Sequence, residues 1–518
     1  MLNPSTLKPL SSEDAKLVRD TFRDAEYTES RLRERSGLLV PPPAELTPGG
    51  VVEAFQDSDS AFDCLAQLFF LGREIDVVAA RKVLPKGLID CFLRSGVIAE
   101  RYQSLTPKVL LVPVEDVWLA SDLQVLRDHS HKDYVPTVCD AALHLASVAV
   151  RQPTKRMLDL CCGFSLHGVL ASRHAESVIT SDLNPRAAAF ARFNAALNEC
   201  QDFTTVTGDV FSAVKGKKFD LILSNPPFII SPEAVTTYRF APYELDGFVE
   251  QMFRQAPDYL QHGGIFQAVC EWVEIAGVDW QQRLQTWFEG RGCDVWVLTA
   301  NRQLPSTYAA NTLRQSDTDA DQLPDMIANW EQYFSKQKVN AIHGGFIFLR
   351  RRDGDNWFDV SQLTKPIRSQ IGDAIVRGLD NRDLLYGRYA DQDILNSRLA
   401  VTRGIRIVED SIYNGIRWES ETMTLHVDCG IPVSIGIDKY VRNLIARYDG
   451  QRIVSDCLAD FANHVGLPMD TGVAQGLEIT KAMIRTGVLG IVKENLENRI
   501  LASRVGLTGT PSQNSFSN

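Results

Sequence analysis

The sequence of 518 residues lacks any long apolar run. Its most apolar short segments, such as residues 68–71, fall far below the roughly 20 apolar residues that a membrane-spanning helix requires. The first residues also lack a basic segment followed by an apolar one, which is the pattern of a secretory signal peptide. We therefore expect a cytoplasmic protein with no membrane partner.

Positive charge and metal-binding cysteine patterns are scarce as well. Lys and Arg number 54 against 65 Asp and Glu, so the formal net charge is −11. A strongly basic nucleic-acid coat is thereby excluded, although the balance does not exclude one local basic groove. The ten cysteines include no Cys-x-x-Cys pair and no Cys/His cluster with zinc spacing. We expect reduced thiols and no metal site.

The composition is that of an ordinary globular protein, with 44% hydrophobic and 23% charged residues. At roughly 150 residues per domain, the length predicts about three domains. We predict a helical, winged-helix-like domain over residues 1–128, an α/β domain over 129–352 and an α+β domain with a winged-helix-like end over 353–507. Residues 508–518, rich in Ser, Thr and Asn, are predicted to form a disordered tail.

The winged-helix interpretation depends on the order of short elements in both flanks. In the N-terminal flank, three predicted helices precede two apolar runs that we expect to form a hairpin. These elements are residues 63–71, 74–82 and 86–94, then 96–98 and 109–113. A helical cap packed on the next domain is the alternative. The C-terminal flank carries strand-like alternation over 401–430 and ends in three more predicted helices. These are residues 442–448, 453–464 and 471–485.

Between the flanks, apolar strands alternate with helical stretches, which is the order of a parallel α/β sheet. The predicted strands are residues 157–160, 177–180, 203–206, 219–224, 264–269, 294–298 and 345–349. We therefore predict a Rossmann-like sheet of seven strands, more than a minimal nucleotide-binding fold contains.

The ends of the first three strands carry residues suited to a nucleoside cofactor. Asp159 begins a turn rich in small residues, where main-chain N–H groups and a helix N-terminus can approach an anionic group. Taken alone, this segment is weak evidence, because Gly and Ser are common in a plain strand–helix turn, which is the more frequent explanation. Asp182 follows 23 residues later at the next strand end, where an acid can accept both ribose hydroxyls. Asp209 follows the third strand and could accept the adenine amino group.

The fourth strand ends in Asn225-Pro226-Pro227-Phe228, hereafter the NPPF segment. The two prolines stop the strand and fix its backbone because neither can donate to a ladder. The Asn225 amide oxygen and the Pro226 carbonyl can then accept both hydrogens of a planar –NH2 group. Phe228 offers a face for stacking. An ordinary loop is the alternative, but ligands of open α/β sheets bind at this edge.

Together these segments resemble class I S-adenosylmethionine-dependent methyltransferases, in the Asn-Pro-Pro-[Tyr/Phe] branch with a methyltransferase small domain. Residues 130–350 are similar to a bacterial group of comparable length. The resemblance implies that the cofactor is S-adenosyl-L-methionine. The implied cofactor-binding residues are Asp159, Cys161, Gly163 and Ser165 for the methionine end, Asp182 and Leu183 for the ribose, Asp209 and Val210 for the adenine, and Asn225. The NPPF segment would hold the substrate amine. Cys161 and Ser165 stand where the family has glycines.

The resemblance implies an N-methyltransferase acting on a planar amine or amide of a macromolecule, either an RNA base or a protein glutamine or peptide. The alternative is a regulator that binds nucleic acid or peptide and holds the cofactor as a ligand only. Residues 236–240, with Glu244 and Asp246, follow the NPPF segment and are predicted to form a lid over the substrate. A surface loop is the alternative. Glu271 could border the pocket. His129 and His131 lack a third metal ligand, and residues 350–352 are predicted to be a solvated strand end.

Overall fold

The computed structural model describes residues 7–38, 40–42, 49–57, 59–124, 133–233, 238–315 and 321–492. It divides into two compact units, Met1–Asp373 and Ala374–Asn518. The predicted tail and the histidines at positions 129 and 131 lie outside the described residues. No helix in the described ranges has the length and apolar character to cross a membrane.

The first unit begins with helices and short strands. The helices are α1 (Ser12–Asp24), α2 (Glu29–Ser36), α3 (Gly49–Glu53), α4 (Ala61–Leu65), α5 (Val77–Val83) and α6 (Lys86–Ser95). The strands are β1 (Ile75–Asp76), β2 (Ile98–Arg101), β3 (Ser104–Pro107), β4 (Val109–Val114) and β5 (Val117–Asp122). A π-helical turn, Ala66–Phe70, continues α4. Strands β1, β2 and β3 form a three-stranded sheet in the order β1-β3-β2, and β4 pairs with β5 separately.

The predicted hairpin in this region is wrong in its pairing. Strand β2 pairs with β3 through a two-residue turn, whereas residues 109–113 lie in β4 and pair with β5. The turn contains Tyr102, whose φ of 55° is uncommon for a residue with a side chain. The predicted helix at 74–82 starts only at Val77, because Ile75 and Asp76 pair with β3. The winged-helix interpretation itself stays a prediction.

The remainder of the first unit holds the large sheet. Its helices are α7 (Asp140–Val148), α8 (Leu166–Ala171), α9 (Pro185–Leu197), α10 (Gly247–Gln255), α11 (Trp280–Gln285), α12 (Pro305–Arg314) and α13 (Leu323–Lys336). Its strands are β6 (Thr154–Leu160), β7 (Ala175–Asp182), β8 (Phe203–Thr207), β9 (Phe219–Ser224), β10 (Leu260–Ile275), β11 (Cys293–Gln303), β12 (Val339–Arg351) and β13 (Phe358–Gln362).

The sheet order is β13-β11-β12-β10-β9-β6-β7-β8. The α/β class and the seven-stranded Rossmann-like sheet are confirmed, and β13 adds an eighth strand beyond residue 352. Strands β6 to β10 run parallel, and β12 lies antiparallel between β10 and β11. The chain moves outward from β6 to β8 and then restarts on the other side at β9. Open sheets bind ligands at such a switch point, at the carboxyl ends of the strands.

The core of the sheet explains why these strands are apolar on both faces. Met157, Leu158 and Ile222 are fully buried, as parallel strands covered by helices on both sides require. Burying each such side chain contributes about 1.5–3 kcal/mol relative to leaving it exposed. The strand ends, where the candidate residues lie, are therefore fixed by a tightly packed core.

A pair of asparagines joins the N-terminal elements to the sheet. Asn194 of α9 accepts from Ala120 N (2.7 Å) and donates to Ala120 O (3.0 Å). One turn later, Asn198 accepts from Trp118 N (3.1 Å) and donates to Trp118 O (2.8 Å). Both asparagine side chains are buried, and their amides make the hydrogen bonds to β5 that a neighbouring strand would otherwise make. The N-terminal elements are consequently anchored to the helix that follows Asp182.

The second unit is an α+β arrangement. Its helices are α14 (Gly372–Tyr386), α15 (Ala390–Asn396), α16 (Lys439–Ile445), α17 (Val454–Val465) and α18 (Met469–Arg485). Its strands are β14 (Arg398–Val401), β15 (Ile405–Tyr413), β16 (Trp418–Val427), β17 (Val433–Gly436), β18 (Asp449–Ile453) and β19 (Leu489–Ile491). Helix α16 starts three residues earlier than predicted, because Asp438 caps it by accepting from Tyr440 N (2.9 Å) and Val441 N (2.8 Å).

Candidate active site

A cavity of about 1300 Å³ opens at the carboxyl ends of the parallel strands. Most of the predicted site residues line it: Cys161, Gly163, Asp182, Leu183, Asp209, Val210, Asn225, Pro226, Pro227 and Phe228. Asp159 and Ser165 do not line the cavity and are fully buried beneath its wall. The structure therefore brings the cofactor-type residues and the NPPF segment to one cavity, with two of the predicted residues behind its surface.

The turn after β6 has a glycine-like backbone at three alternate positions. Cys161, Gly163 and Ser165 have φ angles of 56°, 51° and 65°. The two residues that stand in place of motif glycines thus adopt the conformation that favours glycine, at a cost of about 1–2 kcal/mol each. A Cβ atom built on Gly163 would meet nothing within 4 Å. The turn leaves open space beside Gly163 for a ligand.

Asp159 organises this turn from below. Its Oδ2 accepts from Gly168 N at 2.8 Å and from Ser165 Oγ at 2.9 Å. Its Oδ1 has no hydrogen-bond partner within the described part of the chain. Burial raises the pKa of Asp159 to about 7, since the charged form loses its hydration. One oxygen of this buried carboxyl group therefore lacks a hydrogen-bond partner, close to the open space beside Gly163.

Asp182 connects the same turn to the next helix. Its Oδ2 accepts from Gly163 N (2.8 Å), and its Oδ1 accepts from Asn184 N (2.8 Å), which is the N-cap of α9. Burial raises its pKa, and the backbone N–H groups of Asn184 and Gly163 partly oppose that rise. Each carboxylate oxygen has a second lone pair for a ligand hydroxyl. Asp209 lies exposed on the wall after β8.

The NPPF segment continues directly from β9. Ser224 Oγ donates to Leu160 O at 2.9 Å and so ties the end of β9 to the end of β6. Phe228 is half-buried against the core. These contacts hold the segment at the rim of the same cavity as the turn after β6.

Tyr308 of α12 supports the loop that follows the NPPF segment, although no sequence pattern marks this residue. Its hydroxyl accepts from Ile230 N (3.0 Å) and donates to Glu271 Oε2 (2.5 Å). Glu271 lines the cavity, as predicted from its place on the fifth strand. Burial raises the pKa of Glu271 to about 7, and the Tyr308 hydrogen bond moderates that rise. The Glu271–Tyr308 pair therefore positions backbone two residues beyond Phe228.

Two further expectations need correction. Asp246 is not part of a lid, because it is buried, accepts from Val273 N (2.9 Å) and forms an ion pair with Arg283. The arginines at 350 and 352 are not a solvated strand end, because both bind the buried Asp294. Residues 236–237 of the predicted lid lie outside the described residues, whereas Tyr238 and Arg239 line the cavity.

The cavity wall also contains a histidine that the sequence did not single out. His167 is buried, and neither ring nitrogen has a hydrogen-bond partner among the described residues. Burial lowers its pKa to about 3, so the ring is neutral near pH 7. In the ranges that the structure covers, no group of three His, Cys, Asp or Glu side chains could hold a metal ion. All ten cysteines are free thiols.

The comparisons with known proteins concern the same segment. Residues 139–288 match the model of the methyltransferase small domain family. A Methanocaldococcus jannaschii protein, provisionally named a protein N5-glutamine methyltransferase, is 30% identical over 120 residues, covering 22% of this chain and 60% of that protein. A ribosomal RNA small subunit methyltransferase C from Photorhabdus laumondii is 33% identical over 116 residues, covering 22% and 31%.

The chain thus spans less than two thirds of the length of either relative. Among solved structures, the tRNA m1G37 methyltransferase of M. jannaschii shares 13% identity, with 48% of this chain and 61% of that chain covered. Its TM-score of 0.27 is too low to carry an argument. The family match rests on the sequence of residues 139–288, which holds the turn after β6, Asp182, the NPPF segment and Glu271.

Proposed function

We propose that this chain, which carries a methyltransferase small domain over residues 139–288, is an S-adenosylmethionine-dependent N-methyltransferase. Its acceptor would be a planar amine or amide of a macromolecule. The observation on which the proposal depends is that Asp182, Asp209 and the NPPF segment line one and the same cavity. The names of the two relatives, one acting on protein glutamine and one on ribosomal RNA, support a macromolecular acceptor.

The residues around the turn after β6 fit this cofactor. Asp182 has lone pairs for two ribose hydroxyls, and the space beside Gly163 admits a ligand close to the backbone. Asp159 would act indirectly, by holding the turn through Gly168 N and Ser165 Oγ. When bound, S-adenosylmethionine would supply a methyl group already activated by its sulfonium charge.

The NPPF segment would hold and orient the acceptor nitrogen. The Asn225 amide oxygen and the Pro226 carbonyl accept the two hydrogens of the –NH2 group, and Phe228 stacks on its plane. These hydrogen bonds favour a more tetrahedral nitrogen and stabilise the positive charge that develops on it. Because this interaction strengthens toward the transition state, it accelerates transfer rather than merely binding the acceptor. In-line positioning at about 3–3.5 Å supplies the remaining contribution.

Labelled-methyl transfer into cell extract tests the proposal. The purified protein is incubated with extract and methyl-labelled cofactor, and the product is digested with nuclease or with protease. We expect label in one class of macromolecule, and the digestion identifies whether it is RNA or protein. A protein that binds S-adenosylmethionine by calorimetry yet transfers no label would instead support the regulator that holds the cofactor only as a ligand.

A salt titration of binding to RNA and DNA tests for extensive phosphate contact, and no log-linear fall in affinity would exclude it. A regulator with extensive phosphate contact would show a log-linear fall in affinity with salt. An intact NPPF segment has no use in such a regulator, which favours the enzyme. The cytoplasmic location expected from the sequence remains part of this proposal.

A further inference from the structure

Three residues on neighbouring strands form a row across the floor of the cavity. Glu271 of β10 is the register partner of Gly344 of β12, and Gly344 is also the partner of Asn301 of β11. Directly opposed residues project to the same face of a sheet. All three line the cavity. A carboxyl group and a carboxamide group therefore face the same space, separated by a residue without a side chain.

The glycine in the middle of the row leaves room for the Asn301 amide. A Cβ atom on Gly344 would lie 2.7 Å from Asn301 Oδ1, so the amide lies over the glycine and an added methyl group would displace it. Neighbouring strands are about 4.8 Å apart, which places the main chains of Glu271 and Asn301 roughly 10 Å apart. Because the Asn301 amide reaches over Gly344 toward Glu271, one planar polar group lying above the row can contact both side chains.

The row lies beside the NPPF segment. The last register pair between β9 and β10 is Ser224 with Ala268. Glu271 is three residues further along β10, so it lies next to the loop that begins at Asn225. Its hydrogen bond to Tyr308, which also binds Ile230 N, couples the row to the end of that loop. A molecule held by the NPPF segment would thus extend over the row.

We propose that Glu271 and Asn301, flanking Gly344, form a second subsite that holds an additional N–H-bearing planar group of the methyl acceptor. Glu271 accepts the N–H hydrogen bond, and the Asn301 amide can donate to or accept from the same group. The proposal rests on the proposed function for the identity of the reaction. In its ionised form the Glu271 carboxyl would bind such a donor more strongly than a neutral acceptor does.

The charges around the cavity favour a peptide over RNA as the source of this group. Two arginines and no lysine line the cavity in the described residues, against five acidic residues. An RNA acceptor needs several cationic contacts to its phosphates. A peptide glutamine needs no such cationic contacts. Its side-chain carboxamide would bind the NPPF segment, and its main-chain amide would bind the subsite.

Two small amides test the subsite on the full-length protein saturated with S-adenosylhomocysteine. N-acetylglutaminamide carries both a side-chain carboxamide and main-chain amides, whereas butyramide carries one carboxamide only. Dissociation constants are measured by NMR titration for the wild type, Gly344→Ala, Asn301→Ala and Glu271→Gln. The control is Glu274→Gln, on the opposite face of the same strand and bound to Arg302 and His343.

We expect the wild type and the control to bind N-acetylglutaminamide about tenfold more tightly than butyramide. In the three row variants this advantage should fall to about one. Butyramide affinity should be unchanged in Gly344→Ala and Asn301→Ala, whereas Glu271→Gln should weaken it because Glu271 also holds Tyr308 and, through it, the loop after the NPPF segment. An advantage that persists in all three variants overturns the subsite but leaves the NPPF assignment intact. Failure of the wild type to bind butyramide or N-acetylglutaminamide overturns both. Guanosine binding in preference to either amide overturns the peptide assignment.

Discussion

The two halves of the cavity each contain a carboxyl group whose pKa burial raises to about 7, yet the groups are placed differently. Asp159 is fully buried behind the wall, and its bonds go to Gly168 N and Ser165 Oγ of its own turn. Glu271 lines the cavity and is held by the hydroxyl of Tyr308, which comes from a separate helix. A similarly raised pKa therefore belongs to Asp159, which shapes a turn, and to Glu271, which faces the cavity.

This difference separates what each half can do. The half that we propose for the cofactor is built from local backbone, because Asp159, Gly163 and Asp182 connect consecutive strand ends. The half that we propose for the acceptor is assembled from distant segments, since Tyr308 and Asn301 lie far along the chain from Asn225. Variants can consequently damage acceptor binding or transfer while leaving cofactor binding intact, and the reverse.

The largest expected effect is in the acceptor half. Asn225→Ala removes the side-chain oxygen that accepts from the acceptor –NH2 group, and we expect turnover to fall about 10²–10³-fold. Calorimetry should give an unchanged dissociation constant for S-adenosylhomocysteine. Asn463→Ala, an exposed position in the second unit, is the control. Unchanged turnover in Asn225→Ala would remove this residue from the reaction.

The matching substitution in the half that we propose for the cofactor is Gly168→Ala. The added Cβ would lie 2.5 Å from Ser165 Oγ and 2.8 Å from Thr180 Cγ2, so the turn around Asp159 must shift. Overpacking of this kind costs about 1–3 kcal/mol, and we expect cofactor affinity to weaken tenfold or more. Gly50→Ala, in α3 with open space around it, should change neither quantity. Wild-type cofactor affinity in Gly168→Ala would show that the turn tolerates movement.

The same contrast explains which parts of the molecule were predictable. Asp182, Asp209 and Asn225 each lie at the end of a strand or within two residues after it, and parallel strands bring their carboxyl ends to one edge. Position along the chain was therefore enough to place them at the cavity. The side of the wall on which Asp159 lies was not predictable, because it depends on how its turn packs around Gly168.

Long-range partners left no local pattern. Tyr308 reaches Glu271 from a helix 37 residues away, and nothing in its surrounding sequence marks it. The β2–β3 hairpin was missed for a related reason: its turn uses Tyr102 at positive φ instead of glycine or asparagine. Asp246 was misassigned because its binding partners, Val273 and Arg283, come from later elements.

A pH profile separates the two carboxyl groups. Glu271 is mostly protonated at pH 6 and mostly ionised at pH 8, and only the ionised form accepts freely from both the Tyr308 hydroxyl and an acceptor N–H. We expect kcat/KM to rise by up to about tenfold between these pH values. Glu271→Gln should flatten the rise. Asp159→Asn should keep it even where cofactor binding weakens, and a flattened profile in that variant would assign the titration to the cofactor half.

The smallest expected effect concerns the two adjacent cysteines of the turn. Cys161 has a φ of 56°, so Cys161→Gly relieves a backbone cost of about 1–2 kcal/mol and adds an unfolded-state entropy cost of about 0.5–1 kcal/mol. We expect its free energy of unfolding and its cofactor affinity to stay within about 1 kcal/mol of wild type.

The control is the adjacent cysteine. Cys162 is buried and is not among the residues with positive φ, so Cys162→Gly gains no such relief. Chemical denaturation with and without S-adenosylhomocysteine should rank Cys162→Gly clearly below Cys161→Gly. Equal losses would mean that the Cys161 side chain, and not its glycine-like backbone, forms the cofactor turn.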